Sequence, residues 1–129
     1  MDSIFSKIIN KEIPAYIIDE NDDFIAFLDV FPLAKGHTLV IPKKQVDYIF
    51  DLDEETYVAL WKFAKGVSIK VEKAIKCNRI GIAVIGLEVP HAHIHLVPLN
   101  SVEDINFSRP KLSLSEEEFN EIQKRIVGL

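Results

Sequence analysis

The chain has 129 residues, 48% of them hydrophobic, and 15 basic against 20 acidic side chains give it a net charge of −5. That length and apolar content suit a single domain with its own core and exclude a disordered tail. The acidic balance, with no basic stripe, argues against duplex nucleic acid as the main partner, whereas a single anionic nucleotide needs only a few local donors. Cys77 is the only cysteine, so no intrachain disulfide can form. The longest apolar run, residues 80–87, is too short to span a bilayer, and the start Met1–Lys7 lacks the apolar core of a signal peptide. A soluble cytoplasmic protein with no membrane partner is the expectation.

Ile4–Ile9 reads as a short helix that ends before Pro14, because proline disfavours helix in the residue before it. Tyr16–Ile18 and Phe24–Leu28 read as strands joined by a polar turn at Glu20–Asp23. A loop from Phe31 to Gly36 leads to a third strand, His37–Ile41, stopped by Pro42. Asp53 is placed to cap a long helix, with Glu54 and Glu55 in its first turn. Tyr57, Leu60, Trp61, Ala64, Val67, Val71, Ala74 and Ile75 recur at helical spacing on one face, and Asn78 marks the stop. Arg79–Ile85 reads as a fourth strand, free of internal charge and so expected to be buried on both faces or paired in an interface. Asn100–Leu114 is polar and irregular. Ser115–Glu118 fits a capping box ahead of Phe119, Ile122 and Ile126, with Gly128 as the stop. This order predicts an α+β fold: a five-stranded antiparallel sheet with a long helix, a short N-terminal helix and a C-terminal helix.

The segment Pro90-His91-Ala92-His93-Ile94-His95-Leu96-Val97 is the one that points to chemistry. Its alternation predicts a fifth strand with His91, His93 and His95 on one face, their side chains roughly 6.5–7 Å apart. Three readings are open: a solvated polar face, a zinc site of the His-x-His type, or covalent catalysis by imidazole at phosphorus. Three uninterrupted histidines weigh against the first. The second lacks a further ligand at an obvious spacing, Glu88 excepted, and the residue pattern alone does not separate it from the third.

His91-Ala92-His93-Ile94-His95-Leu96-Val97 resembles the signature of the histidine triad (HIT) family, His-φ-His-φ-His-φ-φ with φ apolar. Ile4–Pro14, Phe27–Val30 and Gly36–Lys44 resemble its other blocks, in the family's order. The likeness lies nearest the nucleoside phosphoramidase and dinucleotide hydrolase branches. It implies a HIT-like catalytic domain over residues 1–99, with residues 100–129 a C-terminal extension of the same domain. It also implies His93 as a nucleophile attacking the α-phosphate of a purine nucleotide, with no cofactor, and a nucleotidyl-imidazole that water hydrolyses. His95 would contact the phosphate, His91 would hold the tautomer of His93 through its backbone carbonyl, and His37 would buttress the triad. Asp29 falls where the family holds the ribose hydroxyls, and Ile4, Phe5, Ile8, Phe27 and Val30 match its apolar slot for the base. Family members of these branches are usually homodimers through the long helix and the fourth strand.

The chain departs from the family pattern in three places. Ser3 and Ser6 stand where many relatives carry Cys-x-x-Cys for a structural zinc, so no metal is expected. The loop Ile85–Pro90 is shortened and contains no asparagine to bind phosphate, and Glu88 replaces a small hydroxyl residue. An ionised Glu88 repels phosphate, while a neutral one could protonate a leaving group, so Glu88 is expected to shift substrate choice or pH optimum. The segment from Asn100 onward does not resemble the phosphoramidase tail that closes over the partner's site. The expected function is therefore a HIT-type nucleotide hydrolase or transferase, acting on phosphoramidates or dinucleoside polyphosphates. The alternative is a nucleotide-binding regulatory protein with little turnover.

Overall fold

A computed structural model of the chain describes residues 2–128. The elements follow the order α1 (Ile4–Ile9), β1 (Ile17–Glu20), β2 (Phe24–Leu28), β3 (Thr38–Pro42), α2 (Glu54–Ala74), β4 (Arg79–Ala83), β5 (Ile94–Leu99) and α3 (Glu116–Val127). Short 3-10 turns lie at Ile49–Asp51 and Val102–Ile105. All neighbouring strands are antiparallel, in the order β1-β2-β3-β5-β4. The fold is α+β, as the order of elements predicts. Among the described residues no helix is long and apolar enough to cross a membrane.

The helices start where their capping chemistry places them. Ser3 and Ser6 form a reciprocal capping box on α1, Asp53 accepts the Thr56 N–H on α2, and Ser115 and Glu118 form a second box on α3. Gly128 closes α3 in the left-handed conformation that a glycine adopts without penalty. The turn between β1 and β2 is built by Asn21, whose side-chain oxygen accepts the N–H groups of Asp23 and Phe24.

Side chains of a strand alternate between its two faces, and here each face has its own cover. On one face Ala26, Leu28, Val40, Ile94 and Leu96 pack with Leu60, Ala64, Val67 and Val71 of α2 and with Phe119, Ile122 and Ile126 of α3. On the other, Ile25, Phe27, Leu39 and Ile41 pack with Phe5 and Ile8 of α1. This second, smaller cluster faces the side of β5 that carries His95. Strand β5 enters between β3 and β4, pairing His95 with Leu39 on one side and Ala83 on the other.

Three expectations are corrected. Residues 91–93 do not belong to β5: the N–H of His91 is taken by Val89 O at 2.8 Å and that of Ala92 by Val46 O at 2.7 Å, leaving no ladder for them to join. Of the two alternatives for β4, burial on both faces gives way: the strand is the sheet edge, ends at Ala83 instead of Ile85, and leaves Ile82 exposed, with Val84 and Ile85 beyond it. Helix α2 stops at Ala74, four residues before Asn78, because Ile75 turns extended.

Two glycines separate backbone strain from helix propensity. Gly36 sits at φ 92, just before β3, and a Cβ there would meet Ile75 Cγ1 at 2.8 Å. Gly66 lies inside α2 with nothing within 4 Å of an added Cβ. Gly36→Ala is expected to destabilise the fold by at least about 1–2 kcal/mol, whereas Gly66→Ala should stabilise it by roughly 0.5–1 kcal/mol. Urea unfolding of both variants beside the parent checks this; equal shifts would contradict it.

Candidate functional site

The triad is set by which main-chain atoms each imidazole meets. A carbonyl only accepts a hydrogen bond and an amide N–H only donates, so each such contact fixes a tautomer. His91 is fully buried, and its Nε2 lies 2.7 Å from Pro42 O, so Nε2 carries the proton. Its Nδ1 therefore accepts from the Ser3 hydroxyl at 3.1 Å. His93 Nδ1 lies 2.7 Å from His91 O and must donate, which leaves Nε2 with a free lone pair. Leu33 N–H donates to His37 Nδ1 at 3.0 Å, so His37 Nε2 carries a proton and gives it to His95 Nδ1, also at 3.0 Å. His95 is then left with a donor at Nε2. Two neighbouring imidazoles thus end with opposite character, a lone pair on His93 and an N–H on His95. Neither Nε2 has a partner among the described residues.

His93 and His95 line a cavity of about 490 Å³ together with His37, Asp29, Glu88, Ile4, Phe5, Ile8, Phe27 and Val30. Every residue expected at the site from the sequence borders this space except His91, whose ring is turned away against Pro42 and Ser3. The rings of His93 and His95 are 4.9 Å apart between centroids, closer than an ideal strand spacing, because His93 precedes the strand and leans on it. Phe5 sets its edge against His93 at 5.0 Å and against Phe27 at 5.5 Å, so α1 forms the apolar wall. Ile4 and Val30 are exposed at the rim.

Ser3 and Ser6 do more than cap α1. Ser6 Oγ donates to Gln45 Oε1 at 2.7 Å, and Gln45 Nε2 donates to Pro90 O at 3.2 Å. Hydroxyl and amide groups therefore tie α1, the loop after β3 and the loop before the triad into one hydrogen-bonded knot. Phe107 and Lys111, in the stretch that reads as irregular in sequence, also line the cavity. Phe107 packs edge-on against His95 at 4.7 Å and against His37 at 6.1 Å. No local pattern announces these two residues; only the path of the chain brings them in.

Asp29, His37 and His95 offer ligand atoms within 4.8 Å of one another, the arrangement a metal ion would use. The hydrogen bonds oppose that use. With the Leu33 N–H on Nδ1 of His37, its Nε2 must hold a proton and has no lone pair to give. The cluster fits a relay of hydrogen bonds better than a metal.

Burial sets the charges. It lowers the pKa of His37 from 6.5 to about 4 and of His95 to about 3, and it lowers those of His91 and His93 too. In His93 the hydrogen bond to His91 O and the nearby Glu88 carboxylate oppose the shift. Asp29 moves the other way, raised by burial to about 6, with the Phe31 N–H and Lys111 pulling against it. At neutral pH the imidazoles are neutral and Asp29 is ionised.

These shifts make stability depend on pH. A histidine whose folded pKa lies below its unfolded value adds stability that is complete above pH 6.5 and is lost as pH falls toward about 4. Asp29, raised from 3.8 to about 6, acts oppositely over the same range, but it is one group against four. The urea midpoint should fall between pH 7.5 and pH 5, and His95→Asn should flatten that fall. A midpoint that does not move with pH would contradict the assignment of neutral, buried imidazoles.

A family model described as the HIT domain matches residues 10–102. A HIT-like protein of Borreliella burgdorferi is 37% identical over 133 residues, covering 97% of this chain and 96% of its own length. The adenosine 5'-monophosphoramidase hnt1 of Schizosaccharomyces pombe is 30% identical over 132 residues, covering 98% of this chain and 96% of its own. The crystal structure of a Hit-like protein involved in cell-cycle regulation from Bartonella henselae superposes with a TM-score of 0.85 at 32% identity, over 98% of this chain and 95% of that one. With likeness in sequence and in fold along nearly its whole length, the chain belongs to the histidine triad (HIT) family.

Proposed function

We propose that the chain is a nucleotide hydrolase or transferase acting at the α-phosphate of purine nucleotides, on phosphoramidates or dinucleoside polyphosphates, through a nucleotidyl-histidine intermediate. The observation that carries this reading is the 2.7 Å bond from His93 Nδ1–H to His91 O, which leaves Nε2 unprotonated toward the cavity. The Nε2 lone pair attacks phosphorus and the bond to the leaving group breaks. The leaving group takes a proton from solvent. The carbonyl of His91 then faces an imidazole made cationic by the new P–N bond, and it stabilises that charge. Water next attacks phosphorus and releases a proton to solvent, the P–N bond breaks, and its electron pair returns to Nε2. His95 Nε2–H is available to a phosphate oxygen, and ionised Asp29 offers two acceptors to a vicinal diol. Phe5, Ile8 and Phe27 supply an apolar wall for a base, which discriminates little between purines. The name of the fission yeast relative supports a phosphoramidate substrate.

The same reading includes a homodimer joined through β4 and α2. Exposed Ile82 on the outer sheet edge, with exposed Val84 and Ile85 just past the end of β4, supports it. Ile82→Asp is expected to halve the mass measured by light scattering; an unchanged mass would sink that interface.

Steady-state hydrolysis of an adenosine phosphoramidate and of diadenosine polyphosphates, in the presence of a chelator, tests the chemistry. His93→Ala should lower kcat by at least about 10³-fold while the protein still binds AMP, as loss of a nucleophile does. Rapid quench with labelled substrate should trap an acid-labile adduct on the parent and none on the variant. AMP binding without turnover in the parent would instead favour the regulatory alternative.

A further inference from the structure

The cavity has few groups with which to hold an anion. Among the described residues no serine, threonine, asparagine or glutamine side chain lines it, and two of its side chains, Asp29 and Glu88, are acidic. The imidazoles are neutral for the reasons given above. Among the described residues, Lys111 is the only lysine or arginine on its wall. A nucleotide phosphate placed there would meet two acidic groups and a single full positive charge.

Lys111 is held at that wall. Its segment is tied down by Leu112 N–H to Pro32 O at 2.8 Å, beside the loop that leads to His37. Lys111 Nζ donates to Phe107 O at 2.6 Å and to Arg109 O at 3.2 Å and makes no ion pair among the described residues. It stands 6.0 Å from the centroid of the Phe107 ring, which itself packs on His95 and His37. An ammonium has three donors, so one remains for a ligand. Lys111 lies outside residues 10–102, the stretch that the family model matches.

We propose that Lys111, brought over the cavity by the chain's own C-terminal segment, is the cation that neutralises the phosphate of the bound nucleotide and makes the site specific for nucleotides over nucleosides. The assignment rests on the nucleotide reading above and adds the residue that selects charge. His95 supplies a neutral N–H to the phosphate and Lys111 the charge. Direct contact between an ammonium and a phosphate oxygen accounts for a charge-assisted hydrogen bond of ordinary strength, weakened by salt because Lys111 is exposed.

Titration calorimetry of the full chain with AMP and with adenosine, for the parent, Lys111→Met and Lys111→Arg, tests this. Lys111→Met should weaken AMP about tenfold and leave adenosine unchanged, and Lys111→Arg should keep most of the AMP affinity. Raising salt should weaken AMP binding to the parent more than to Lys111→Met. Equal AMP affinity in the parent and Lys111→Met would overturn the assignment while leaving the nucleotide reading intact. So would an equal loss for AMP and adenosine, which would mark a structural role. A parent that binds neither ligand would overturn both. Lys111→Gln repeats the measurement should Lys111→Met melt earlier than the parent.

Discussion

The site depends on one constraint: a main-chain carbonyl cannot donate a hydrogen bond and a main-chain amide cannot accept one. Pro42 O, His91 O and Leu33 N–H each meet one imidazole nitrogen, and each leaves it a single choice. From these contacts follow the lone pair on His93 Nε2 and the proton on His95 Nε2. Neither residue type nor spacing separates the two side chains; their positions relative to the backbone do. The β3–β5 pairing, which sets His95 beside Leu39, and the loop that carries Leu33 are therefore as much a part of the site as the rings.

Burial completes what the hydrogen bonds begin. Helix α1 covers one face of the sheet with Phe5 and Ile8, and Phe107 closes over His95 and His37. Removing water keeps all four imidazoles uncharged, so an attacking nitrogen does not first have to lose a proton. The same desolvation ties the fold to neutral pH and leaves the cavity short of positive charge. The uncharged imidazoles and the pH dependence of stability share one physical origin.

Ser3 shows how little separates a structural from a functional contact. Its hydroxyl caps α1 by accepting the Ser6 N–H and also donates to His91 Nδ1. The helix that carries the apolar wall is thereby joined to the residue whose carbonyl orients His93. Gln45 extends the link to Pro90, at the end of the loop before the triad. The hydroxyls of Ser3 and Ser6 thus make a knot of ordinary hydrogen bonds.

Much of this molecule was legible in the sequence because the relevant signals are local. Caps at Ser3, Asp53 and Ser115, helical stripes and strand alternation are set by neighbours a few residues apart, so α1, β2, α2 and α3 are read correctly or nearly so. The triad and its companions His37, Asp29 and Phe5 were visible through the resemblance, which spans most of residues 4–98. The start of β5 was not, because the N–H groups of His91 and Ala92 are claimed by Val89 O and Val46 O instead of a neighbouring strand. Nor was the exposure of β4, since an apolar run reads alike at the edge and in the middle of a sheet. Local pattern was enough for the type and order of the elements, for the family and for which histidines to suspect. The tautomer of each ring, the seating of Phe107 and Lys111 on the cavity and the tie from Ser3 to His91 emerge only in the folded chain. Each of these is a contact between segments distant in the chain, and no local pattern carries the geometry of such a contact.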